Sequence, residues 1–70
     1  MANLKGVKNM VDLRAAREKV GISQNRLAKM CGKVRQTIGE IEAGRNKPSV
    51  PLAKKLGEIL GIDWTEFFSD

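Results

Sequence analysis

Residues 22 to 44 read ISQNRLAKMCGKVRQTIGEIEAG, and the punctuation of that stretch decides the fold. Ser23 suits a helix N-cap, because a short hydroxyl side chain accepts a hydrogen bond from a first-turn amide. Leu27, Ala28 and Cys31 then fall at i, i+1 and i+4, which puts three small or apolar groups on one helical face. Gly32 follows the last of them. A glycine there can adopt the left-handed conformation of a helix C-terminus, so the chain can turn sharply at Gly32 and Lys33. Val34, Ile38 and Ile41 are spaced i, i+4 and i+7 and predict a second helix over about 34–43. Arg35, Gln36, Gly39 and Glu40 point away from that stripe, and Gly44 closes the helix. The residues alone therefore give two short helices, a tight turn and a polar outer ridge.

Ser23 to Gly44, SQNRLAKMCGKVRQTIGEIEAG, resembles the helix-turn-helix of the phage-repressor and Cro-type (XRE) DNA-binding domains, and the likeness extends from about Val11 to Phe68. The resemblance implies an all-α fold, a compact five-helix bundle of the lambda-repressor-like type with the helix-turn-helix at its second and third helices. It implies a sequence-specific double-stranded DNA-binding transcriptional regulator whose third helix lies in the major groove; the second helix presents Gln24, Asn25, Arg26 and Lys29 and no acid to recruit polymerase, which favours a repressor over an activator. It also implies a homodimer on a two-fold site with half-sites about one helical turn apart. No dimerisation motif is readable in the chain itself.

Composition bounds the alternatives. Seventy residues make one domain, and a domain of about that size buries only about 60% of its unfolded surface, so a short helical bundle is the economical solution. One Cys and no His exclude an internal disulfide, a CxxC pair and a Cys/His metal cluster, and remove the commonest general base. No enzyme, cofactor, metal or small-molecule ligand is expected. The apolar runs are too short to span a membrane and the start lacks the apolar core of a secretion signal, so a cytoplasmic protein is expected.

Charge is unevenly spread. Residues 1 to 55 carry all thirteen Lys and Arg against four acids, a net +9, whereas residues 56 to 70 carry Glu58, Asp63, Glu66 and Asp70 and no base, a net −4. The helix-turn-helix lies in the basic part, as a polyanion partner requires. The same charge also serves plain solubility.

Flanking segments read as support. Residues 1–8 form a basic, aperiodic arm that frays by default and could lie along a phosphate backbone through Lys5 and Lys8, leaving 9–70 as the domain. Asn9 and Asp12 resemble a capping pair for a first helix over about 9–20, with Leu13, Ala16, Arg17 and Val20 on one face and Gly21 as its stop. An arginine on an inner face needs a partner, and the family resemblance supplies Glu42 as its structural ion pair. Ser49 can cap a fourth helix with Pro51 in its first turn and Leu52, Leu56, Ile59 and Leu60 facing inward. Gly57 reads as a close-packing site and Gly61 as a cap. Asp63 with Glu66 opens a fifth helix holding Trp64, Phe67 and Phe68, the first two expected inside and Phe68 available to a second chain. Cys31 reads as a core filler.

For DNA, phosphate contacts position and base contacts specify. Gln24, at the start of the second helix, and Thr37, Arg45, Asn46 and Lys47 are the expected phosphate contacts; the resemblance places the loop at residues 45–48 against the backbone, where a polar exposed connection is the plain alternative. Arg35, Gln36 and Glu40 suit guanine, adenine and cytosine respectively, with Val34 as a further base-reading position. Val34 departs from the family pattern, which usually has a capping residue there. Either Lys33 opens the helix one residue earlier or the valine methyls meet a thymine methyl. Gly39, inside a helix, suggests a close approach. The rival reading is a protein-interaction module, such as an antitoxin or regulatory adaptor, with secondary DNA binding.

Overall fold

The computed structural model describes residues 11–68; the basic stretch 1–8, Asn9 and the last two residues lie outside the described residues. Four α-helices follow one another, α1 Leu13–Val20, α2 Gln24–Met30, α3 Arg35–Glu42 and α4 Val50–Leu60, and a short 3-10 helix, Trp64–Phe68, closes the chain. The architecture is all-helical in those residues, with four α-helices where five helices were expected. The last segment stays 3-10 because it is one short turn. Asp63 Oδ1 accepts from the Thr65 amide at 3.0 Å and from its hydroxyl at 2.7 Å, while the Asp63 carbonyl accepts from Glu66 N–H at 3.0 Å, an i to i+3 bond.

The first helix is shorter than its sequence pattern suggests. Asp12 is itself the N-cap, in extended backbone, and its Oδ1 accepts from Ala15 N–H at 3.0 Å, so the helix opens at Leu13 and not near residue 9. Leu13 and Arg17 are buried and Ala16 is half-buried, but Val20, the last residue of the helix, is 49% exposed.

The turn between α2 and α3 is built as its glycine requires. Ser23 Oγ caps α2 by accepting from Arg26 N–H at 3.0 Å. At the other end Gly32 takes φ 70°. Lys33 N–H donates to the Ala28 carbonyl at 2.8 Å and Gly32 N–H to Lys29 at 3.1 Å, the paired bonds that satisfy carbonyls at a helix end. This fixes the departure of α3 from α2, and the two helices pack together.

Leu27, Ile38 and Leu56, one each from α2, α3 and α4, are the largest fully buried side chains. Burying each contributes about 1.5–3 kcal/mol relative to leaving it in water. Ser49 caps α4, accepting from Leu52 N–H at 3.3 Å, with Pro51 in the first turn. Leu52, Leu56 and Leu60 are buried and Ile59 is half-buried. Gly57 is a close-packing site: a Cβ there would stand 2.6 Å from the Ile62 carbonyl oxygen and 3.2 Å from Trp64 Cβ. Phe67 is buried, whereas Trp64, expected inside, is only half-buried, with Lys54 Nζ 5.1 Å from its ring centroid and the Phe68 ring edge-on at 6.2 Å.

Candidate nucleic-acid interface

The helix α3 has two unlike sides. Ile38 and Ile41 are buried against the bundle. Val34, Arg35 and Gln36 are exposed at its opening end, while Thr37 and Glu40 are half-buried beside them. The expected base-reading residues thus share one outward ridge.

Val34 does not belong to the inner stripe. It is the N-cap of α3, in extended backbone (φ −97°, ψ 159°), makes no side-chain capping bond and is 67% exposed. Lys33 does not open the helix earlier, and the i, i+4 relation to Ile38 carries no meaning because residue 34 is not helical. The Gly39 expectation also changes. A Cβ there would meet only Gln24 Nε2, at an ordinary 3.9 Å, so nothing approaches closely.

Behind the ridge sits an ion pair. Arg17 Nε donates to Glu42 Oε2 at 2.6 Å, with the two side chains 11% and 5% exposed, and Arg17 Nη1 donates to the Ile22 carbonyl at 2.9 Å. Hydrogen bonding to Glu42 raises the Arg17 pKa; burial opposes this and the charges of Glu42 and Glu18 add to it. The pair extends outward. Gln24 Nε2 donates to Glu42 Oε1 at 2.9 Å, and Gln24 Oε1 accepts from Arg35 Nη1 at 3.0 Å. A carboxylate only accepts and a guanidinium only donates, so both ends of the Gln24 amide are assigned by chemistry.

At the far end of α3, Glu40 is held by neutral groups. Gln36 Nε2 donates to its Oε2 at 3.3 Å, and Asn46 Nδ2 donates to its Oε1. The backbone carbonyl of Glu40 accepts from Arg45 N–H at 2.9 Å and from Asn46 N–H at 3.4 Å. These bonds lay the exposed residues Arg45, Asn46 and Lys47 beside the end of α3, and buried Pro48 anchors the loop.

The Arg17–Glu42 pair is the one the family resemblance implied; sequence reasoning missed the bonds that extend it to Gln24 and Arg35 and those that hold Glu40 to Gln36 and Asn46. It also missed Arg14 and Asn25, which line one shallow groove with Arg17, Gln24, Arg35 and Glu42. Their only signal was polarity, of Arg14 in the first turn of α1 and of Asn25 at the start of α2, which any surface shares.

The family model for the helix-turn-helix matches residues 13–67. The chain belongs to that family, in its XRE, or Cro/C1, type. With the family comes the function class, a DNA-binding transcriptional regulator. Among helix-turn-helix relatives it is similar to the uncharacterized transcriptional regulator YqaF of Bacillus subtilis strain 168, 45% identical over 58 residues that cover 83% of this chain and 76% of the relative. A helix-turn-helix-type transcriptional regulator of Methanothermobacter thermautotrophicus is 39% identical over 54 residues, 77% of this chain and 78% of the relative. The fold is similar to that of the restriction-modification controller protein C.AhdI from Aeromonas hydrophila, with a TM-score of 0.70 and 35% identity over 81% of this chain and 83% of that one. Helix-turn-helix regulators of this kind bind double-stranded DNA and are generally not enzymes. Among the described residues no helix is long and apolar enough to cross a membrane.

Proposed function

We propose that this protein is a sequence-specific repressor that inserts α3 into the major groove and binds as a homodimer to a two-fold site. The observation that carries the reading is the outward ridge: Val34, Arg35 and Gln36 stand exposed at the opening of α3 while Ile38, Ile41 and Glu42 are locked inside. Arg35 has the donors for guanine N7 and O6, Gln36 the amide for adenine, and Val34 a surface for a thymine methyl. Glu40 stands on the same face. Arg45, Asn46 and Lys47 border the ridge and, with Thr37 and Gln24, supply phosphate contacts.

Two features support the finer parts of the reading. The outer side of α2 exposes Asn25, Arg26 and Lys29 and no acid, which gives polymerase no acidic patch to be recruited by and favours a repressor. Phe68, 37% exposed at the closing turn, offers an apolar contact to a second copy.

Selection of sites from a random duplex pool tests the reading. The wild-type chain is expected to enrich an inverted repeat, and Arg35→Ala to lose preference at one base pair of each half-site by about tenfold. Enrichment of no sequence, or an Arg35→Ala preference identical to wild type, would count against it.

A further inference from the structure

On the groove-facing side of α3 a carboxylate is a liability, because it must approach a phosphate-lined polyanion. Glu40 is in no ion pair among the described residues. Both its oxygens are nevertheless occupied, Oε2 by the Gln36 amide at 3.3 Å and Oε1 by the Asn46 amide. Because a carboxylate accepts only, the NH2 end of each amide must face it. Gln36 is left with its carbonyl and one N–H outward, which is the donor and acceptor set that adenine N7 and N6 require. Asn46, one residue from Lys47 in the loop, is tied to Glu40 twice, by its side-chain amide to the carboxylate and by its backbone N–H to the Glu40 carbonyl.

From this geometry we infer that Glu40 is a positioning residue and not a base reader: it sets the amide of Gln36 for adenine and ties that setting to the loop carrying Arg45, Asn46 and Lys47. The inference rests on the proposed groove-reading role of α3. It assigns to Glu40 a specificity at a base pair that Glu40 does not touch. Through Asn46 it also links where the loop sits on the backbone to how Gln36 reads the groove.

Site selection with Gln36→Ala, Glu40→Ala, Glu40→Gln and the Gln36→Ala/Glu40→Ala double variant tests it, with urea unfolding of each chain to confirm folding. Glu40→Ala is expected to lose preference at the same base pair as Gln36→Ala, each by about tenfold. The double variant is expected to lose no more than Gln36→Ala alone, since the two residues act through one contact. Glu40→Gln, which keeps one acceptor oxygen, is expected to recover part of the preference, which a uniform loss of affinity from damaged packing would not do. Loss of preference at a different base pair in Glu40→Ala, additive with Gln36→Ala, would show that Glu40 reads a base and would overturn the inference while leaving the groove-reading role of α3 standing. If Gln36→Ala itself leaves every base preference unchanged, the reading by Gln36 falls and the inference with it.

Discussion

On the inner side of α3 the Glu42 side chain is 5% exposed and meets the Arg17 guanidinium at 2.6 Å; two residues earlier, on the outer side, the Glu40 carboxylate meets, among the described residues, the amides of Gln36 and Asn46. The groups are chemically identical and about 200° apart around the helix. Their surroundings separate them: the hydrogen bonds of Glu42 are partly buried and those of Glu40 are exposed. Inside, a carboxylate must have a cation, because an unpaired buried charge is costly. Outside, water and salt weaken any ion pair, and a carboxylate is of more use for the direction its hydrogen bonds impose on its neighbours. A helix that must be anchored on one side and legible on the other can therefore use one residue type for both tasks.

The comparison breaks most readily at the inner carboxylate. Glu42→Ala leaves the Arg17 charge and the Gln24 amide without their acceptor and is expected to lower the unfolding free energy by about 3 kcal/mol or more. Glu40→Ala, by contrast, is expected to cost about 0.5 kcal/mol or less, as exposed substitutions usually do. Urea unfolding of the two chains side by side measures the gap, and similar losses would erase the distinction between the two sides.

Two glycines sharpen it. Gly57→Ala drives a methyl group to 2.6 Å from the Ile62 carbonyl, where backbone must move, and is expected to cost about 1–3 kcal/mol. Gly39→Ala, on α3, meets only the far end of Gln24 at 3.9 Å and is expected to stabilise the fold by up to about 1 kcal/mol through helix propensity. Thermal melts of the two variants should move in opposite directions. A gain from Gly57→Ala would mean that α4 and the closing turn are less tightly joined than described.

The smallest effect concerns Cys31, half-buried at the end of α2. Burial pushes its thiol pKa up, against the pull of Lys55 and Lys33. The unfolded chain then loses its proton first, near pH 8.5. The contribution is complete below that pH and disappears as pH rises through the higher folded value. Stability measured across about pH 8 to 10 should fall less steeply in Cys31→Ala than in the wild-type chain, and equal slopes would remove the thiol from the account.

Much of this was legible in the sequence wherever the chemistry is local. Ser23 and Ser49 cap the helices they were expected to cap, and Gly32 turns the chain where a left-handed residue was needed. What was not legible depends on partners far along the chain. The place of Gln24 at a helix start points to a phosphate contact but is silent on the bonds that join its two ends to Glu42 and Arg35, 18 and 11 residues away. Val34 and Val20 fit apolar spacings, but spacing is silent on whether a residue is helical at all, as with Val34, or whether the last residue of a helix is covered, as with Val20. The Asn9–Asp12 pattern suggested an earlier start, whereas Asp12 is itself the cap of α1; Asn9 lies outside the described residues.

The bare opening of α3 has a consequence for change over time. Most substitutions at a contact residue lower stability, so new preferences are usually reached at a loss of robustness. Position 34 is the reverse case, since a residue such as serine, threonine or aspartate would supply the missing side-chain bond and add about 0.5–2 kcal/mol while replacing the exposed methyl surface of Val34. On the proposed groove-reading role of α3, the recognition surface can therefore drift toward a different operator at that position without the scaffold having to be strengthened first.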